Sequence, residues 1–291
     1  MEDFIYDNTK QEFKFEIQRS APKTISDTLV FLKMYGKDLF RKSWKILFPY
    51  IILLVLSQYY YSYSLNNFRI GTFKITWFLL VYILHFIVMI IFSSLMQSVI
   101  ISYIKALTNN ATVSAKELKN MTYDYFFKVL LINFLLYFII GIATIFFIIP
   151  GIYLLVALSF TSILIILKEI KPVKSLKESF DLTKGYWWYV FGIIILNTLI
   201  MLLMSFAFQG LSYLYLTFKG LFGESSISNM FLNTSNDPVL MTIYIISVLS
   251  YALLNGFFII SLTLGYFNIL ESKTHSSIIK EIDTIGDDIG I

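Results

Sequence analysis

The composition of this 291-residue chain is that of a protein surrounded by lipid. Hydrophobic residues make up 57% of it and charged residues only 14%, with a net charge of +4. Soluble domains contain about 45–50% hydrophobic residues and about 25% charged residues. Soluble globular proteins are therefore excluded. The sequence contains no cysteine and two histidines, so thiol chemistry and metal sites of three or four histidines are excluded as well. We expect an all-α polytopic membrane protein.

Six apolar runs are long enough to cross roughly 30 Å of hydrocarbon, which takes about 20 residues. The predicted transmembrane helices lie at about 45–64, 76–104, 126–148, 152–168, 187–208 and 239–270. Residues 24–270 thus form the predicted membrane domain. Residues 1–23 form a cytoplasmic N-terminal segment, and residues 271–291 form a cytoplasmic C-terminal tail.

Lysine and arginine predict the orientation of these spans. Twenty of the 23 basic residues fall on one side, and Arg69, Lys74 and Lys219 fall on the other. Because basic residues accumulate in cytoplasmic loops, both termini are expected in the cytoplasm. The predicted location is a cytoplasmic (inner) membrane.

An amphipathic stretch precedes each pair of spans on the predicted cytoplasmic side, at about 24–43, 113–125 and 172–184. In the third stretch, Val173 and Phe180 lie on one face and lysines on the other. Pro172 favours the start of a helix and Gly185 its end. We expect interfacial helices whose lysines contact anionic lipid headgroups. The pattern also predicts three repeats, each an interfacial helix followed by two spans.

The dipeptide Pro150-Gly151 separates the third span from the fourth. It predicts a type II turn, because proline fixes φ at the second position and glycine supplies a positive φ at the third. No polar residue lies between Thr144 and Ser159. The predicted hairpin is therefore tight.

A longer motif surrounds this turn. Residues 149–153 read I-P-G-I-Y, Glu169 follows the next span, and four residues then recur at helical spacing: Leu176, Ser179, Leu182 and Gly185. In this pattern, over about 146–192, the chain resembles the membrane domain associated with bacterial glycerophosphoryl diester phosphodiesterases and its stand-alone relatives. The tail at residues 266–286, YFNILESKTHSSIIKEIDTIG, further resembles stand-alone members from Bacteroidetes. Relatives often carry an arginine where Ala157 stands. The resemblance implies a six-span fold without the phosphodiesterase catalytic domain.

Polar residues inside the spans are the candidate site. The predicted span interiors carry no Asp, Glu, Lys or Arg, and His85 is the one histidine in them. Four amide side chains together with His85 could line a single polar cavity for a neutral or lipid-like ligand; the amides are Gln97, Asn133, Asn197 and Asn255. Alternatively, they and His85 hydrogen-bond neighbouring helices. The sequence leaves both interpretations open.

These patterns favour a non-enzymatic scaffold or accessory subunit, since a proton-coupled transporter usually needs a buried ionisable residue. The alternative is a small transporter or lipid-handling permease component for a neutral or apolar substrate. No catalytic residue, cofactor or metal site is predicted. Expected partners are membrane lipids with anionic headgroups, and another membrane protein or a second copy of the chain. Nucleic acid is not expected, because the cytoplasmic lysines alternate with acidic residues.

Overall fold

The structure is a computed structural model that describes residues 13–69, 71, 74–109, 111–222 and 237–274. Within these residues it is all-helical and contains no strand, which confirms the all-α part of the predicted fold class. The helices are α1 (Ala21–Arg69), α2 (Ile75–Thr108), α3 (Ala115–Phe146), α4 (Ile148–Ala157), α5 (Thr161–Leu167), α6 (Pro172–Thr183), α7 (Trp187–Phe222) and α8 (Pro238–Thr274).

In the part of the chain that the structure describes, five helical segments are long and apolar enough to cross a membrane, at the positions of the second to sixth predicted spans. They are Ile75–Thr108, Ala115–Phe146, Ile148–Leu167, Trp187–Leu221 and Pro238–Thr274. The first predicted span lies in the second half of α1 and is not among the five. There the apolar residues 51–56 are followed by Gln58 and a tyrosine cluster. These segments are consistent with a multi-pass membrane protein.

Two of the predicted interfacial helices are not separate elements. The helix α1 runs without a break from Ala21 through the predicted boundary near residue 44, and α3 continues through residue 125. Residues 40–46 and 122–128 contain no glycine or proline, so nothing at either junction ends the helix although the polarity changes. Farther along, α1 also continues through Pro49, which lies inside it. The third predicted interfacial helix is α6, a separate helix with Pro172 at its start and Gly185 at φ +86° after its end.

The described helices are closely packed in one half of the molecule. Buried residues are concentrated in α5 and in the C-terminal parts of α2 and α8, with Leu95, Ile104 and Leu264 fully buried. In the other half, α7 and α8 expose large apolar side chains such as Leu203 and Leu253. Exposed apolar side chains are expected where helices face lipid. The tightly packed half is the predicted cytoplasmic one.

Candidate functional site

The hairpin between α3 and α4 turns at Phe147. Only this residue separates the two helices, with an extended backbone (φ −153°, ψ 119°). Pro150 and Gly151 lie in the first turn of α4, and Gly151 is not among the glycines with positive φ. The predicted type II turn at Pro150-Gly151 was therefore wrong. Proline is accommodated here because the first N–H groups of a helix have no partner within it.

Gly151 is required instead by the close approach of α3 and α4. A Cβ atom at Gly151 would lie 2.9 Å from Thr144 Cα and would overlap the Thr144 hydroxyl. Since Cα is a backbone atom, no side-chain rotation can relieve this contact. The absence of a side chain at Gly151 thus lets the two helices pack directly after a one-residue turn.

The fourth predicted span is broken between α4 and α5, and α6 hydrogen-bonds to the break. Ser179 Oγ donates to the Ala157 carbonyl (2.9 Å) and accepts from the Phe160 N–H (3.2 Å), and Thr183 Oγ1 donates to the same carbonyl (3.3 Å). These side chains replace helical backbone bonds that the break removes.

The buried face of α6 is therefore its hydroxyl-bearing face. Ser175, Ser179 and Thr183 are buried, whereas Val173 is 76% and Phe180 39% exposed. The prediction from the sequence rested on the apolar residues Val173 and Phe180, and it missed the hydroxyl-bearing face. The signal that could have found it was the recurrence of Ser or Thr at intervals of four residues.

Two of the predicted cavity residues, Gln97 and Asn133, lie in one buried hydrogen-bond cluster. Asn133 Nδ2 donates to Ser94 Oγ (2.9 Å) and to Gln97 Oε1 (3.2 Å). Ser162 Oγ donates to Asn133 Oδ1 (3.2 Å). The cluster joins α2, α3 and α5, so these side chains serve contacts between helices.

Asn197 and Asn255 lie apart from that cluster. Asn197 Nδ2 donates to the Ile193 carbonyl of its own helix (2.8 Å), and Asn197 Oδ1 accepts from Ser261 Oγ on α8 (3.5 Å). The Ser261 hydroxyl lies 3.0 Å from that of Thr28 on α1. Asn255 Oδ1 is buried without a hydrogen-bond partner among the described residues. The four amides therefore do not line a single cavity.

His85 joins α2 to α1. Its Nδ1 lies 3.2 Å from Ser57 Oγ, and its ring stacks on Tyr61 with centroids 5.1 Å apart. Where the chain is described, no three His, Asp or Glu side chains are grouped closely enough to hold a metal ion. The geometry of His85 is that of a helix-packing residue.

Several polar clusters connect helix ends in the described parts of the chain, and we call the first the Lys105 latch. Lys105 Nζ donates to Glu169 Oε1 (2.6 Å), to the Tyr125 hydroxyl (2.8 Å) and to the Ile166 carbonyl (2.8 Å). These contacts join α2, α3, α5 and the segment after α5. The hydrogen bond from Lys105 lowers the pKa of Glu169. Among the described non-glycine residues, Glu169 alone has a positive φ, 54°.

The Arg19 latch and the Asp237 latch connect other helix ends. The Arg19 side chain is fully buried, with Nε 2.9 Å from Asp27 Oδ2, and the Arg19 N–H donates to Asn268 Oδ1 on α8. The Asp237 carboxylate accepts hydrogen bonds from Lys219 at the end of α7 and from the Val239 N–H. The second bond caps the start of α8. Each latch therefore connects segments that are far apart in the sequence.

A cavity of about 460 Å³ lies between α1, α2, α7 and α8. Its walls combine apolar side chains such as Met89 and Met201 with polar ones such as Gln58 and Gln209. None of the five predicted site residues lines it. Gln58 and Gln209 are polar residues of otherwise apolar stretches, but nothing in their spacing along the sequence indicates that they share a cavity.

Comparison with known proteins places the chain in a family. No curated protein and no solved structure matches it significantly. The family model described as "Domain of unknown function (DUF7847)" matches residues 71–268. This range covers about two thirds of the chain and includes α2 to α7 and most of α8. The chain therefore belongs to the DUF7847 family.

Proposed function

We propose that this protein is a non-enzymatic scaffold or accessory subunit of a bacterial cytoplasmic membrane. In this proposal the apolar half of α1 is a sixth span, since residues 46–56 are apolar apart from Pro49 and Tyr50. Both termini are cytoplasmic by the positive-inside rule. The resemblance to the membrane domain of the glycerophosphoryl diester phosphodiesterases supports the same arrangement.

The observation that carries this proposal is that latches connect the helices at both ends of the bundle. The Lys105 and Arg19 latches lie at the predicted cytoplasmic end and the Asp237 latch at the other. The Lys105 side chain is only 14% exposed and that of Arg19 is fully buried. The Arg19–Asp27 pair is buried on both sides, and such a pair is costly to break one partner at a time. Glu169 of the Lys105 latch is 67% exposed, so this latch holds its helices through the several hydrogen bonds of one lysine. Such connections favour a rigid body over one whose ends open alternately.

Contact with anionic lipid is part of the proposed role. On α6, Val173 and Phe180 are exposed beside lysines such as Lys174 and Lys177, an arrangement typical of helices at a membrane surface. A membrane-protein partner or a second copy of the chain would complete a scaffold. Enzyme activity and nucleic-acid binding form no part of the proposal.

The second candidate function is a lipid-handling permease component for a neutral or apolar substrate. One observation favours it, the cavity of about 460 Å³ between α1, α2, α7 and α8. A permease would have to open its latches in turn, whereas a scaffold would keep them closed. The two functions therefore differ in how far the helix ends move.

Distance measurements between spin labels distinguish the two. The chain has no cysteine, so label pairs can be introduced at exposed positions whose side chains take no part in the latches, Lys119 with Lys177 and Lys74 with Val239. In lipid vesicles, a scaffold gives one narrow distance distribution for each pair. Two populations of label–label distances for either pair would contradict the scaffold and support the permease. As a control, Lys105→Met should broaden the Lys119–Lys177 distribution and leave the other pair unchanged.

A further inference from the structure

The cavity between α1, α2, α7 and α8 has the size and walls of a small-molecule site. Its volume of about 460 Å³ falls within the range of about 300–1,000 Å³ typical of ligand pockets. Three methionines, Met89, Met201 and Met204, contribute to its walls. Methionine is flexible and polarisable, so such walls adapt to irregular apolar molecules.

The cavity is accessible from the apolar surface of the protein. Leu202 on α7 and Tyr251 on α8 both line it, and they are 46% and 39% exposed. These helices belong to the segments long and apolar enough to cross a membrane. A molecule that enters between them would therefore come from the bilayer.

Polar groups at the cavity have no hydrogen-bond partner among the described residues. Gln58 on α1, which is partly buried, and Gln209 on α7, which is exposed, also line it, and no hydrogen bond joins either amide to another described residue. Tyr244 on α8 also lines it, and its buried hydroxyl has no partner either. In an apolar environment each unpaired polar group costs free energy. A ligand oxygen at this place would provide the missing partner.

The charges of the walls restrict the ligand further. The described residues that line the cavity include no Asp, Glu, Lys, Arg or His. A charged headgroup would lose its hydration there without gaining a counter-charge. A neutral carbonyl or hydroxyl oxygen can instead accept from an amide N–H or a phenol O–H.

We propose that this cavity binds a neutral amphiphile from the bilayer. The apolar chain of the ligand contacts the methionines, and its carbonyl or hydroxyl oxygen hydrogen-bonds to Gln58, Gln209 and Tyr244. The proposal concerns binding alone, so it holds whether the protein is a scaffold or a permease.

Photo-crosslinking of the full-length protein tests the proposal. The probe is a palmitoyl monoacylglycerol with a diazirine on its acyl chain, titrated onto purified protein in detergent. We expect saturable labelling of residues 201–209 and 244–254. Unlabelled monoacylglycerol should compete, and hexadecane or the anionic palmitoyl lysophosphatidylglycerol should not. Labelling that does not saturate, or that is spread along all exposed apolar surfaces, would overturn the site.

Conservative variants test the polar contacts. Tyr244→Phe and Gln58→Leu should each raise the half-saturating probe concentration by about 5- to 10-fold, the effect of one lost hydrogen bond. Tyr213→Phe, at a 59% exposed position on α7, should leave it unchanged. Without the probe, Tyr244→Phe should unfold no earlier than wild type, because it removes an unpaired hydroxyl. If the half-saturating probe concentration is unchanged in both cavity variants, or if hexadecane competes as well as monoacylglycerol, recognition by these polar groups is overturned. Equal competition by lysophosphatidylglycerol would overturn the preference for a neutral ligand.

Discussion

Replacement of Gly151 by alanine should destabilise the protein through a single contact between α3 and α4. The added Cβ would lie 2.9 Å from Thr144 Cα and 3.0 Å from Thr144 Cβ, and real Cβ atoms do not approach a backbone carbon so closely. The helices must therefore separate by several tenths of an ångström. Overpacking of this kind costs about 1–3 kcal/mol, and a backbone clash belongs at the upper end. Higher helix propensity returns at most about 1 kcal/mol, so the expected net loss is about 1–2 kcal/mol.

Equilibrium unfolding in mixed micelles, followed by tryptophan fluorescence, measures this loss. Trp187 is a local reporter because its ring stacks on Tyr153 of α4, with centroids 6.0 Å apart. Gly141→Ala is the matched control, since a Cβ at Gly141 on α3 would meet nothing within 4 Å. It should be neutral or stabilising by up to about 1 kcal/mol. Equal stability of Gly151→Ala and Gly141→Ala would refute the close approach as the reason for glycine.

Three other predictions concern the latch, α6 and the topology. The pKa of Glu169 is lowered from its ordinary value of 4.5, so its carboxylate stabilises the fold above pH 4.5, and that contribution is lost as the pH falls through the lowered pKa. Glu169→Gln should remove this part of the pH dependence of the unfolding midpoint. Ser179→Ala should cost about 1–3 kcal/mol of unfolding free energy, because the buried Phe160 N–H loses its partner and the Ala157 carbonyl keeps only the longer bond from Thr183. Ser175→Ala should cost less, since that hydroxyl bonds within α6; equal losses would contradict docking through Ser179. An impermeant thiol reagent applied to intact cells should label a cysteine that replaces Lys74 and not one that replaces Lys119. The reverse result would invert the topology.

Composition and length alone determined that the chain is helical and apolar enough to cross a membrane. An uninterrupted apolar run of about 20 residues has one stable solution in lipid, a helix that satisfies its own backbone. Local backbone chemistry likewise determined the limits of α6. Pro172 lacks the N–H that a first helical turn cannot use, and Gly185 adopts the left-handed conformation after the end. These features depend on neighbours in the sequence, so sequence reasoning reaches them.

Tertiary structure alone decided which groups meet. The spacing of Ser179 and Val173 describes two faces of one helix, and only the break at Ala157 makes the hydroxyl face the buried one. In the same way, Gly151 is explained by Thr144 of another helix and not by its own φ.

The predicted polar site shows the same limit. Gln97 and Asn133 bond to each other, whereas Asn197 bonds to Ser261, and the cavity lies beside Gln58 instead. Sequence fixes the position of a side chain around its own helix. The packing of the whole bundle fixes its partner, because hydrogen bonding and close approach depend on distances between helices that no local pattern encodes.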